Sequence, residues 1–134
     1  MAKPTPKNLK IKLWELCKQH ARARDGSKCF TCQKSDLSGS NQHTGHFIPS
    51  ASGGATLRYH PNNLRVQCYN CNINLGGNGA EFYRKMVASL GKKQTEKLFV
   101  LKQKTIKADS IFYSKMIELY KAGNEQAIID FLEG

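Results

Sequence analysis

Two cysteine pairs, Cys29-Phe-Thr-Cys32 and Cys68-Tyr-Asn-Cys71, and two histidines three positions apart, His43 and His46, carry most of the chemistry available to this sequence. Four thiolates in two C-x-x-C steps suit a tetrahedral zinc ion in a reducing compartment. The fifth cysteine makes the count odd, which fits a disulfide framework poorly, and Cys17 reads as a small buried hydrophobe in a helix. The pairs are 35 residues apart, so zinc would staple the base of a long insertion. Inside that insertion lie the histidines, in Gln-His-Thr-Gly-His-Phe-Ile-Pro, with Asp36 the nearest carboxylate upstream. An imidazole near neutral pH can move a proton or hold a metal.

The chain that must position these groups has 134 residues, enough for one domain with a modest core. Its formal net charge is +11, from 21 Lys and Arg against 10 Asp and Glu. That excess favours a polyanion as partner, nucleic acid ahead of an anionic membrane surface. There is no apolar run long enough to span a membrane, and Met1–Lys10 lacks the apolar stretch of a secretory signal. The expectation is an intracellular protein.

Leu9, Leu13, Cys17 and Ala21 recur at helical spacing, which predicts a helix over residues 8–25 ending at Gly26, after a basic tail over 1–7. Past the first cysteine pair, Thr-Gly-His-Phe-Ile reads as a strand, Ser-Ala-Ser-Gly-Gly as a turn and Ala-Thr-Leu-Arg-Tyr-His as a second strand of a hairpin. Gly76, Gly77 and Gly79 mark a hinge after the second pair, and the rest reads as helices broken at Gly91 and Gly123. Leu98, Leu101, Ile111, Met116, Ile117 and Tyr120 form a stripe for a core or a dimer interface.

Knuckle, strand with His46, turn, strand, knuckle and then Asn72 opening a helix give the outline of the ββα-metal arrangement of HNH nucleases. The ordered features C-x-x-C, G-H-F, L-R-Y, N-L-R-V-Q-C-x-x-C-N, G-N and Y-R closely resemble the NinG (Rap) recombination proteins of lambdoid phages, over about Trp14 to Gly91. The resemblance implies an α+β fold: a zinc-stapled treble clef with an HNH-like core over 8–91 and a helical region over 92–134. It further implies a structure-specific DNA endonuclease acting on branched recombination intermediates such as Holliday junctions, encoded by a phage and working in the bacterial cytoplasm.

Hydrolysis of a phosphodiester needs an activated water, an electrophile at the phosphoryl oxygens and help for the departing oxygen, the last two within reach of one divalent ion. His46 is the candidate base. Asn72, next to the last zinc cysteine, offers a hard oxygen to Mg²⁺ or Mn²⁺. Asn63 matches the middle asparagine of the HNH pattern, whose family role is to brace the loop and the base histidine. Many HNH enzymes carry Asp immediately before that histidine, where this chain has Gly45; lambda-type proteins carry an acid three positions before it, where this chain has His43. His43 is therefore a candidate second ligand, and His60 competes with it.

Arg58, Arg65, Arg84, Lys85, Lys92 and Lys93 are candidates for backbone phosphate contacts. Tyr59 and Tyr69 read as packing groups. Cutting two strands of a junction together would need two sites, hence a homodimer built on the C-terminal helices. Two other functions stay open: a non-catalytic zinc-stapled DNA-binding module, and an HNH nickase without branch preference.

Overall fold

The structure is a computed structural model describing residues 5–134. Residues 1–4 of the expected basic tail lie outside the described residues, and the remainder of that tail already opens the first helix. Thr5 caps α1 (Pro6–Asp25) by accepting from the Asn8 amide at 3.2 Å, and Pro6 supplies a preset φ where no amide donor is needed. Leu13, Cys17 and Ala21 lie one turn apart and are all buried, so α1 hides one stripe.

That stripe packs against α5 (Ser110–Ala122) and α6 (Glu125–Glu133), where Phe112, Tyr113, Met116, Tyr120, Ile128 and Leu132 complete one apolar cluster. Asp109 and Asn124 cap the two helices, accepting from the amides of Phe112 and Ala127. A second cluster joins α3 (Gly79–Leu90) and α4 (Lys92–Leu101) through Phe82, Met86, Leu98 and Leu101 to Ile48 and Leu57. A third surrounds the cysteines with Ala21, Leu37 and Val66. The C-terminal stripe is thus spent inside the chain. Leu98, Leu101, Met116 and Tyr120 are buried, and Ile111, at 79% exposure, is the stripe residue facing solvent.

The expected hairpin is corrected in one strand. β1 (His43–His46) pairs antiparallel with β2 (Leu64–Gln67), in the register His43 with Gln67 and His46 with Leu64. Ser-Ala-Ser-Gly-Gly-Ala-Thr-Leu-Arg is instead a helix, α2 (Ser50–Arg58), kinked at Gly54, whose φ of 66° requires glycine. Gly53, Thr56 and Leu57 are its buried residues, an i, i+3, i+4 set that follows a helical face rather than an alternating strand. Nor is a strand needed beside β1. β2 is buried at all four residues, and its second edge is taken by the Phe30 amide on the Val66 carbonyl at 2.8 Å and the Val66 amide on Asp25 at 3.0 Å.

Candidate functional site

The four cysteine sulfurs lie within 4.8 Å of one another, and Sγ of Cys32 and Cys68 are 3.7 Å apart. Zn–S bonds of about 2.3 Å set a tetrahedral edge of about 3.8 Å, so the donors fit a zinc ion held by four thiolates, whereas a disulfide would need about 2 Å. Each knuckle points a backbone amide at a sulfur, Cys32 to Cys29 at 3.5 Å and Cys71 to Cys68 at 3.4 Å. Burial works against the Cys29 thiolate, but donation from the Cys32 amide and the Thr31 hydroxyl outweighs it and holds the thiol down at about 6. Asn72 rides on the helical turn Asn70–Asn74 that follows Cys68, so the cysteine cluster fixes its place.

His43 and Asn72 are brought together. His43 Nε2 donates to the Ser40 carbonyl at 2.8 Å, which leaves Nδ1 as the acceptor for Asn72 Nδ2 at 3.0 Å. Tyr69 meets the same ring edge-on at 5.5 Å. Both nitrogens of His43 are used, so this residue orients Asn72 rather than offering a lone pair of its own. Asn72 Oδ1 turns toward Gly45: a Cβ placed on that glycine would lie 3.2 Å from it.

His46 does not join them. Successive side chains of a strand project to opposite faces, so His43 and Gly45 share the Asn72 face while His46 looks the other way. Its ring stacks on Trp14 of α1, with centroids 5.3 Å apart and planes 6° apart, and Nε2 donates to the Arg58 carbonyl at 3.1 Å. That bond selects the tautomer whose Nδ1 carries the lone pair. Burial holds the imidazole below the usual histidine range, and the nearby Arg58 charge acts in the same direction. An open pocket of about 540 Å³ surrounds the ring, with Lys10, Trp14, Ser50, Arg58 and Tyr59 among its walls. The expected convergence of His46 with Asn72 is therefore replaced by two half-sites on opposite faces of one four-residue strand.

Asn63 is fully buried and clamps the loop after His46. Its side chain accepts from the Ile48 amide at 2.8 Å and donates to the carbonyls of Ile48 and Leu57 at 3.0 and 2.9 Å, while its backbone carbonyl accepts from Phe47.

Two candidates are corrected by burial. His60, at 0% exposure, accepts from the Asn62 amide at Nδ1 and donates from Nε2 to Glu133 at 2.8 Å, so it caps a turn and ties down α6; no lone pair is left for a metal. Arg65, at 6% exposure, is ion-paired to Asp25 at 3.1 Å, bonded to Ser89 and stacked 4.4 Å over Phe30, so it cannot reach phosphate. The other basic candidates remain accessible in part or whole: Arg58 at the pocket, Arg84 and Lys85 beside Glu81 on α3, and Lys92 and Lys93 at the start of α4.

Lys10 and Trp14, i and i+4 on α1, escape a sequence reading of this site, because nothing local links a helix face to a strand about 30 residues away. Gln67 escapes it too. Its Nε2 donates to Thr31 Oγ1 at 3.1 Å, and Thr31 lies 3.3 Å from the Cys29 sulfur, so this amide connects the zinc cluster to the floor beneath Gly45.

A family model described as Bacteriophage Lambda NinG protein matches residues 3–127. No curated protein and no solved structure matches this chain.

Proposed function

The chain belongs to the NinG family, and from that premise we propose that it is a divalent-ion-dependent DNA endonuclease acting on branched recombination intermediates. The observation that carries this reading is His46: a neutral imidazole, its tautomer set by a backbone carbonyl, lining an open pocket with Lys10 and Arg58. A general base needs that combination of low basicity, fixed tautomer and access. Cations at the rim attract the phosphodiester and hold it near the imidazole.

The other half-site supplies a hard amide oxygen, Asn72 Oδ1, held by His43 and facing a position without a side chain. A divalent ion bound there would offset charge on the phosphoryl oxygens and the departing 3′ oxygen. Among the described residues, β1 pairs on one side only, with β2. His46 and Asn72 lie on opposite faces of β1, so bringing base and ion to one phosphodiester requires this edge strand to turn when DNA binds. Asn63 keeps the chain after His46 in register for this.

The opposed faces of β1 favour one competing reading, a zinc-stapled DNA-binding module in which these groups only hydrogen-bond. His46→Ala separates the two. As a nuclease, the variant loses at least about 10²-fold in cleavage of a four-way junction with Mg²⁺ or Mn²⁺, while zinc content and junction affinity hold. Failure of the unaltered protein to cut junction, flap or duplex DNA with either ion decides for the binding module. Equal cutting of junction and linear duplex at one salt concentration would make it a nickase without branch preference.

A further inference from the structure

The amide of Gln67 is fully buried, and its two ends can be told apart. Nε2 donates to Thr31 Oγ1 at 3.1 Å and to the Gly77 carbonyl at 3.0 Å. A carbonyl only accepts, so the nitrogen is fixed at that end. Oε1 then faces Gly45 and has no hydrogen-bond partner among the described residues. A buried oxygen left without a donor costs about 1–3 kcal/mol.

Asn72 is oriented by the same logic. The Ser40 carbonyl requires the proton on His43 Nε2, so Nδ1 must accept, and Asn72 must present Nδ2 to it. Asn72 Oδ1 is thereby turned to the same place as Gln67 Oε1. A methyl group on Gly45 would overlap Gln67 Oε1 and lie 3.2 Å from Asn72 Oδ1. Gln67 Oε1 itself fills the space that a side chain at position 45 would take, with Asn72 Oδ1 at its border, so two amide oxygens converge beside this glycine. Carbonyl oxygens converging without a donor are what a hard divalent cation takes as ligands.

We infer that Gln67 is a ligand of the divalent ion, its oxygen joining that of Asn72 beside Gly45. The donor that a carboxylate at position 45 would provide comes instead from the partner strand, since Gln67 stands opposite His43 in the β1–β2 register. The same amide holds Thr31 beside the Cys29 sulfur, so zinc loading presets this ligand. The inference extends the Asn72 half of the proposed site and does not depend on His46.

Mn²⁺ titrated into zinc-loaded protein without DNA tests it, read by calorimetry and by nuclear magnetic resonance of the side-chain amides. One Mn²⁺ is expected to bind and to broaden the Gln67 and Asn72 amide signals before any others. Gly45→Ala, whose methyl displaces Oε1, is expected to weaken Mn²⁺ at least about tenfold with zinc retained. Gln67→Glu, which substitutes a charged oxygen, is expected to tighten it by a similar factor. Sharp Gln67 signals at saturating Mn²⁺, no Mn²⁺ uptake beyond zinc, or unchanged Mn²⁺ affinity in whichever of the two variants folds and keeps zinc overturns the assignment, since Mn²⁺ broadens neighbours as well as ligands. Mn²⁺-dependent cleavage with sharp Gln67 signals would sink this inference and spare the nuclease, whereas broadening without any cleavage would do the reverse.

Discussion

The side-chain nitrogen of Asn72 donates to Nδ1 of His43 across 3.0 Å, and this bond decides which end of the Asn72 amide faces Gly45. The cysteine cluster places the asparagine; the histidine orients it. His43→Ala should therefore weaken Mn²⁺ binding by about 10–100-fold without abolishing it, the usual effect of removing a group that holds a ligand. Zinc content should not change. Complete loss of Mn²⁺ uptake in His43→Ala would mean that His43 is itself a ligand.

Metal analysis of the purified protein should give one zinc per chain. Stripping it with a strong chelator should unfold the segment between the two knuckles, because Cys29, Cys68 and Cys71 are part of the apolar cluster with Ala21, Leu37 and Val66. Circular dichroism during chelation measures this. An unchanged melting curve in zinc-free protein would contradict a structural role.

Arg65→Ala should act on stability rather than on DNA. Its partner Asp25 is largely buried and also holds the Val66 amide, so the variant leaves a charge with fewer partners inside the fold. Asp25 keeps two donors from Arg24, so a loss of about 1–3 kcal/mol in denaturant unfolding is expected. The salt slope of DNA binding should stay the same, whereas Arg58→Ala should lower it by about one.

Acid should destabilise the turn that His60 caps. Burial lowers the pKa of His60, and the Asn62 amide donating to Nδ1 also requires a neutral ring, outweighing the pull of Glu133. The folded pKa is thus below the unfolded one, and the unfolded chain takes up the proton first. Stability should be level above about pH 6.5 and fall below it by at most about 1.4 kcal/mol per pH unit from this group. Burial raises the Glu133 carboxyl, but bonds from Lys97 and His60 outweigh that and hold it down, so its contribution disappears at lower pH still. Melting temperatures across this range, for the protein and for His60→Gln, would show it, with the step reduced in the variant.

The pH dependence of cleavage should carry the signature of His46. Because burial depresses its pKa, the neutral base survives to lower pH than an exposed histidine would allow. The acid limb of the single-turnover rate is expected below about pH 6.5, the ordinary histidine value, and a limb well above it would assign the base elsewhere.

The four clustered cysteines, the helical face of α1 and the stops at Gly91 and Gly123 could be read from residue type and spacing, because each is a local rule of valence, period or backbone conformation. The second strand could not. Ala-Thr-Leu-Arg-Tyr-His is short enough to suit strand or helix, and its fate turned on β2, whose Leu-Arg-Val-Gln fills the place beside β1. Arg65 read as a phosphate contact and His60 as a metal ligand for the same reason: the side chain is visible in a sequence, but the carboxylates that engage them inside the fold, Asp25 and Glu133, lie 40 and 73 residues away.

By itself the sequence determined a basic chain with four thiols spaced for one metal ion, an asparagine tied to the last of them, and a helical C-terminal region. Tertiary structure alone decided that His46 faces Trp14 while Gly45 faces Asn72, and that Gln67 turns an unpaired oxygen into the gap between. The physical reason is that bonding capacity belongs to a residue, whereas direction belongs to the strand that carries it. A one-residue step reverses the face, and only strand register and packing against α1 fix which face meets which partner.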